Sequence, residues 1–430
     1  MLNFDQAVTE LIARVKTAEV GAHREVESVA LCPDFTYIDW MDSQPLFPKF
    51  YWQSRDAGEE VVALGHMATF TESELASTIV SGDQRIWGGR PFDSDNETSS
   101  FFFLPLIELI RCEKHVVLAV NISADKQRTV KALQTLVGHA GGLAPMSGQI
   151  KSLRHVPDRT HWSRLVDKAL ADIDNDQLDK VVLARKTYVE LDTPVSAAQL
   201  LKASYVNNQN SFHFMLVLNP RCSFLGSTPE RLYACEGQDL LTEALAGTAG
   251  RGQGTNEDMA LAHWLCHDHK NLDENQYVVD DIIQRLRPYS DQVDVEQEVS
   301  LVRLRQVQHL KRHIRARLKP GIKVLPLLTA LQPTAAVAGL PRDAAMDFIR
   351  KNEPFSRGWY AGSMGYVREQ SAQFCVAIRS ALVLENQIHL FAGAGIVHGS
   401  EANSEWQELD KKLSTLLSLM VDLPRLGVAS

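Results

Sequence analysis

The segment CVAIRSALVLENQIHLFAGAGIVHGSEANSEWQELDKKLSTLLSLMVDL, residues 375–423, carries two periodicities in one run. Its first half, CVAIRSALVLENQIHLFAGAGIV (375–397), is apolar and rich in β-branched residues and reads as two strands joined at Glu385-Asn386. Its second half, SEWQELDKKLSTLLSLMVDL (404–423), spaces apolar residues three and four apart and predicts a helix. Gly393 and Gly395 take side chains away from the second strand, which suits a place where something approaches the backbone. On the helix, Glu405 and Glu408 are three apart and project from one face, with Lys412 one turn further on.

Upstream the mixture continues. THWSRLVDKALADI reads as a helix, KVVLARKTYVEL as a β-branched strand, and HFMLVLN and SFLGSTPERLYAC as further strands. Residues 256–286 carry apolar positions at helical spacing, and DAAMDFIRK (343–351), preceded by Pro341, predicts another helix. VQHLKRHIRARL (307–318) fits either period. Before residue 150, EVVALGHMATF, RIWGGRPF and KHVVLAVNI are short strand-like runs, and AGGLAPMSGQ (140–149) is a small-residue passage suited to a subdomain seam. The expected architecture is mixed α and β with several antiparallel pairs.

The chain has 430 residues, 45% hydrophobic and 23% charged, an ordinary globular composition that argues against wholesale disorder. With 44 basic against 53 acidic residues the net charge is −9, which disfavours nucleic acid or an anionic membrane as the main partner. An anionic substrate would need local cations to hold it. The N-terminal MLNFDQAVTELIARVKTA reads as an amphipathic helix, not a signal peptide. FFFLPLIELI (101–110) is too short to span a bilayer and is interrupted by Pro105 and Glu108. Six scattered cysteines without a CxxC pair fit a reducing compartment, so the expected location is cytoplasmic.

Three constellations could carry chemistry. LTEALAGTAGRGQGTNED (241–258) packs Gly247, Gly250, Gly252 and Gly254 closely, as a phosphate cradle would, yet lacks the GK[ST] of a Walker loop and matches GxGxxG poorly. A flexible turn between a strand and a helix explains the same glycines. In HWLCHDH, His263 and His267 share a helical face, but four zinc ligands would require an unwound helix; a solvated face is the alternative. Glu405 and Glu408 form an exposed salt-bridge ladder or, with Glu274 from the apolar helical stretch LDENQYVVDD, line a shared pocket. Paired carboxylates with oxygen-only ligation suit magnesium. Lys180 and Glu230, each alone, are ordinary strand-end charges.

Together the segments KVVLAR (180–185), GSTPERL (226–232), ALAGTAGRG (244–252), LDENQYVVD (272–280), LQPTAAVAGLPR (331–342), FSRGWYAGSMGY (355–366), AIRS (377–380) and GAGIVHGSEANSEWQELDKKL (393–413) resemble the chorismate-utilising enzymes. That family includes anthranilate synthase component I, and the local match is greatest to the isochorismate synthases of the menaquinone pathway. The resemblance implies an anthranilate synthase component I-like α/β (α+β) fold: two packed β-sheets, helices outside, one large catalytic unit. It divides the chain into an N-terminal subdomain (1–150) of the same fold and a chorismate-binding catalytic domain (158–425).

It also implies roles. Lys180 matches the family's general base and Glu230 its general acid, for adding water at C2 of chorismate and expelling the C4 hydroxyl. Such a lysine needs its pKa lowered and such an acid needs it raised. Glu274 and Glu408 match the acids that bind Mg2+, with Glu405 in reach directly or through water. Tyr360 and Arg379 match positions that hold the enolpyruvyl carboxylate. Lys412, Gly393, Gly395 and the Gly247-Thr248 pair match further substrate contacts. Ala246 stands where lysine-nucleophile relatives carry PIKGT, which leaves water as the nucleophile. No glutamine amidotransferase subunit is expected, and the chain is expected as a monomer or homodimer. Salicylate synthase and a siderophore-pathway isochorismate synthase are the competing readings. Glu243 carries no assigned role.

Overall fold

In the structure, a computed structural model that describes residues 2–19, 23–77, 82–94 and 99–420, the run 375–397 makes three strands rather than two. Cys375 and Val376 end one strand, the chain turns at 377–379 with Arg379 at φ 50°, and a hairpin follows. A hydrophobic periodicity cannot show such a turn, because all three pieces are apolar.

In chain order the elements begin with α1 (Phe4–Thr17), β1 (Arg24–Ser28), α2 (Tyr37–Ser43), β2 (Lys49–Gln53), β3 (Glu59–Phe70), α3 (Glu72–Ser77), β4 (Ile86–Arg90) and β5 (Phe101–Cys112). Next come β6 (His115–Asn121), α4 (Lys126–Gln134), β7 (Ile150–Val156), α5 (Arg159–Asp174), β8 (Lys180–Leu191), α6 (Ala197–Asn207), β9 (Phe212–Asn219) and β10 (Cys222–Thr228). Then follow β11 (Arg231–Glu236), β12 (Asp239–Gly250), α7 (Thr255–His267), α8 (His269–Leu286), β13 (Ser290–Val295), β14 (Ser300–Arg303) and β15 (Val307–Leu318). The chain finishes with α9 (Val324–Leu331), β16 (Gly339–Leu340), α10 (Arg342–Asn352), β17 (Ser363–Val367), β18 (Ser371–Val376), β19 (Ser380–Leu384), β20 (Gln387–Ile396) and α11 (Ala402–Leu417).

Every ladder between these strands is antiparallel, and hydrogen bonds connect all of them. One half runs β1-β6-β5-β3-β2-β9-β10-β19-β20-β8-β7. The other runs β5-β4-β17-β18-β11-β12-β15, with β13 and β14 both on β15. They share β5, whose start pairs with β4 and whose end pairs with β6. Pro105 lies between those two stretches, opposite a bulge at His66–Ala68 in β3, because proline has no N–H to give to a ladder. The two sheets are therefore one hydrogen-bonded network folded over on itself.

Their inner faces meet in an aromatic layer: Phe50 and Trp52 of β2 stand 5.3 and 6.4 Å from Trp87 of β4. Helices α1, α2, α4 and α6 cover the outer face of the first half, while α5, α8 and α10 bury their apolar stripes against β8, β20, β11 and β12. Among the described residues no helix is long and apolar enough to cross a membrane.

Five further readings of the sequence change or are resolved. SFLGSTPERLYAC breaks into β10 and β11 at Pro229-Glu230, since Pro229 cannot continue the ladder. The helical stretch 256–286 breaks at Asp268, whose side chain accepts from the Asn271 N–H and so caps α8. ALAGTAG is strand, not loop: β12 runs to Gly250 and absorbs Gly247, at φ 86°, in a bulge between Leu245 and Thr248. The ambiguous 307–318 is β15. The closing helix ends at Leu417; 418–420 leave it as a turn, and the last of its expected span, 421–423, lies outside the described residues.

Candidate active site

Two of the breaks just described are crossings from one sheet to the other. β10 belongs to the first half and β11 to the second, so Glu230 stands in the crossing between them. Arg379 stands in the crossing back, from β18 to β19. A residue in such a crossing is free of ladder pairing and can be aimed between the sheets. Arg379 is held there in its left-handed conformation by the Ser227 N–H, which donates to its carbonyl at 3.2 Å. The loop carrying Tyr360 is tied to the same turn, Ala361 N–H to Ala377 O at 3.0 Å and Ala377 N–H to Gly362 O at 2.8 Å.

These residues line a cavity with about 580 Å3 of free space, part of it open to solvent. Of the residues expected at the site, Glu230, Gly247, Thr248, Glu274, Tyr360, Arg379, Gly393, Gly395, Glu408 and Lys412 form its wall. Lys180 and Glu405 are buried behind it, Lys180 fully, and Lys180 reaches the wall through Glu274, donating from Nζ to Oε1 at 2.8 Å. Ala246 also faces the cavity.

The glycines of β20 make this geometry possible. A Cβ on Gly395 would lie 2.9 Å from Glu274 Oε1 and 3.0 Å from Lys180 Cε; one on Gly393 would lie 2.7 Å from the Tyr360 hydroxyl. Tyr360 stacks on Phe391, centroids 5.0 Å apart and planes 9° from parallel, which fixes its ring. Lys412 bridges the Gly393 carbonyl at 2.9 Å and Glu408 at 2.5 Å.

The two acids that the sequence assigned to different roles have opposite electrostatics. Burial, with Glu243 nearby, pushes the Glu230 carboxyl up to about 8, against the pull of Lys180, Arg379 and Lys412. Burial also pushes Glu274 upward, but Lys180 overrides it through charge and hydrogen bond, and the net shift is down. At neutral pH Glu230 holds a proton and Glu274 is ionised. A carboxyl kept protonated at neutral pH suits a general acid, and an ionised one suits a cationic partner.

His309 of β15 was not read from the sequence. It is the ladder partner of Thr248, its Nδ1 lies 3.0 Å from the Thr248 hydroxyl, and its Nε2 lies 3.3 Å from Arg379 Nη2. Since guanidinium only donates, Nε2 accepts and Nδ1 carries the proton. Burial, then Arg379 and Lys412, hold the imidazole neutral. Its signal was the pairing register of β12 with β15, which no local pattern contains. The Thr248 N–H is engaged by Asn271 Oδ1 at 3.0 Å, which leaves its hydroxyl as the group shared with His309.

Among the described residues no three of His, Cys, Asp and Glu converge as a metal cage, and each candidate acid instead faces a lysine: Glu274 with Lys180, Glu408 with Lys412, and Glu405 with Lys270 at 3.8 Å. The donors are all carboxylate oxygens, the set a hard cation takes. Glu405 is pushed up to about 7 by burial and by its neighbour Glu408, a repulsion that a cation offsets. The histidines of HWLCHDH make no such set. His263 and His267 stack 4.2 Å apart on α7, and His267 Nδ1 lies 2.7 Å from the His263 carbonyl.

A protonated buried acid, a lysine–carboxylate pair and a fixed guanidinium around one small cavity define an enzyme acting on a small carboxylated molecule. The family profile described as chorismate binding enzyme matches residues 16–421, and the chain belongs to that family. It is 40% identical to isochorismate synthase MenF of Escherichia coli over 90% of this chain and 91% of that one. It is 35% identical to isochorismate synthase MenF of Pasteurella multocida, over 98% and 99% of the two chains. The solved structure of the menaquinone-specific isochorismate synthase of Escherichia coli superposes with a TM-score of 0.91 at 38% identity, covering 97% of this chain and 99% of that one. Anthranilate synthase component I of Streptococcus pneumoniae shares the fold, with a TM-score of 0.66 at 19% identity.

Proposed function

We propose that the protein is an isochorismate synthase of the menaquinone pathway. It adds water at C2 of chorismate, shifts the ring double bonds and expels the C4 hydroxyl. The observation that carries the acid half of this reading is the state of Glu230: buried at a sheet crossing and protonated at neutral pH, it can hand a proton to a departing hydroxide. Lys180 is the base. Its Nζ, which donates to Glu274 at 2.8 Å in the resting site, must give up a proton before it takes one from the attacking water.

Arg379 and Tyr360 hold the enolpyruvyl carboxylate, Arg379 with donors free for a bidentate fork; its buried Nε has no partner within the protein. Thr248 and Lys412 face the remaining polar groups of the substrate. Ala246 offers no amine, so water is the nucleophile. Glu274 and Glu408, with Glu405 behind them, are the residues that would hold Mg2+, which would neutralise the ring carboxylate against the acidic protein. The working setting is the cytoplasm, as a monomer or homodimer without a glutaminase subunit; two of its six free thiols, Cys32 and Cys112, are exposed.

Incubation with chorismate and Mg2+ and identification of the product tests the proposal. Isochorismate is expected. Salicylate and pyruvate accumulating at enzymatic rates would replace this reading with salicylate synthase.

A further inference from the structure

Glu243 and Arg55 lie outside the cavity wall, yet their hydrogen bonds converge on the acid. Arg55 Nη1 donates to the Pro229 carbonyl at 2.5 Å and to Glu243 Oε1 at 2.6 Å, while Nη2 donates to Glu243 Oε2 at 2.9 Å. Glu243 Oε1 also accepts the Arg231 N–H at 2.8 Å. The residues immediately before and after Glu230 are thus both held by one bidentate ion pair: Pro229, which lies outside any ladder, and Arg231, which begins β11 opposite Cys375. Glu243 is fully buried, and Arg55 and Arg231 flank the Phe212 ring at 5.4 and 5.6 Å, which limits how the pair can shift.

We propose that the Arg55–Glu243 pair is a positioning clamp for Glu230, setting the direction of its carboxyl and placing a fixed charge behind it. The proposal rests on the reading of Glu230 as general acid. A carboxylate kept ionised by Arg55 and the Arg231 N–H is a fixed negative charge near Glu230, and it opposes the loss of the Glu230 proton. The other groups facing Glu230 are Lys180 of β8, Arg379 of the β18–β19 turn and Lys412 of α11, all of which favour ionisation; Tyr360 and Cys375 are neutral neighbours. On the far side of Glu243 stand Arg231, Lys311 and His313, the last 3.9 Å from Oε2. Among the acids around Glu230, Glu243 acts on its proton most strongly, ahead of Glu274 of α8 and Glu408 of α11, which share the cavity wall.

Glu243→Gln keeps the shape and an acceptor for the Arg231 N–H but removes the charge. In that variant kcat with chorismate should fall about 10- to 100-fold while KM changes little, and the high-pH limb of the rate profile should move to lower pH. Glu243→Asp, which restores charge, should return the limb toward its original position. Arg55→Lys keeps the charge but loses the fork and should lower kcat at unchanged KM. In parallel, Glu230 is titrated by NMR of carboxyl-labelled protein, assigned with Glu230→Gln; in Glu243→Gln its pKa should drop toward the ordinary carboxylate range. An unmoved Glu230 titration overturns the clamp whatever the substrate proves to be. A wild type that does not convert chorismate sinks the functional reading alone.

Discussion

Replacing Glu230 by Gln should make the protein more stable and nearly inactive, and the size of the gain can be worked out from the site. Unfolded, a glutamate side chain ionises near 4.5; in the folded protein burial holds this one near 8. Between those values the native state binds a proton that the unfolded state has released, so stability falls as pH rises through the window. Below it both states are protonated and the effect vanishes. At pH 7 the gap above 4.5 is about 2.5 pH units at about 1.36 kcal/mol each, a penalty of about 3 kcal/mol that glutamine does not carry. The comparison is urea unfolding of wild type and Glu230→Gln from pH 5 to 8. The stability difference should be under about 1 kcal/mol at pH 5 and widen by about 1.4 kcal/mol per pH unit. A pH-independent difference, or wild type the more stable at pH 7, would refute the assignment of a buried, proton-holding acid. Activity of the variant should drop by roughly 100- to 10,000-fold, the scale of a lost general acid.

The wild-type rate with chorismate should fall as pH rises through about 8, where Glu230 gives up its proton, measured as kcat/KM in buffers of constant ionic strength. Gly393→Ala puts a methyl 2.7 Å from the Tyr360 hydroxyl, and should raise KM for chorismate about tenfold with the fold intact by circular dichroism. EDTA should abolish turnover and added Mg2+ restore it, with Glu408→Gln requiring more Mg2+; full activity in EDTA would remove the metal from the proposal. Lys180→Ala should lose at least about 100-fold in kcat, and retained turnover would take the base role from Lys180.

Much of this protein was legible locally. The helical spacing of 160–173, the β-branched run 180–191 and the mixed segment 375–423 each express a short-range preference, and each formed the kind of element it predicted, as α5, β8 and the β19–β20 hairpin with α11. Ten of the site residues named through the family resemblance line the cavity, and His309, which lines it too, was not among them. Where local reading failed outside the helix break at Asp268, it failed at Pro229-Glu230, at 377–379 and at Gly247. Two of these are sheet crossings and the third is a bulge, all features of how strands are shared out in space and not of any strand's own composition.

The chain order of residues determined most of the element types, the chemistry available at each position and, through Ala246, the absence of an amine at that point of β12. Only the tertiary structure decided that His309 meets Thr248, because register is set by pairing across the sheet. Only it placed Arg55 against Glu243, 188 positions away, around the peptide groups of the acid. And only the folded surroundings decided that of two buried glutamates in one cavity Glu230 keeps its proton while Glu274, hydrogen-bonded to Lys180, is ionised, since proton affinity depends on solvent and neighbouring charge, which a linear sequence does not contain.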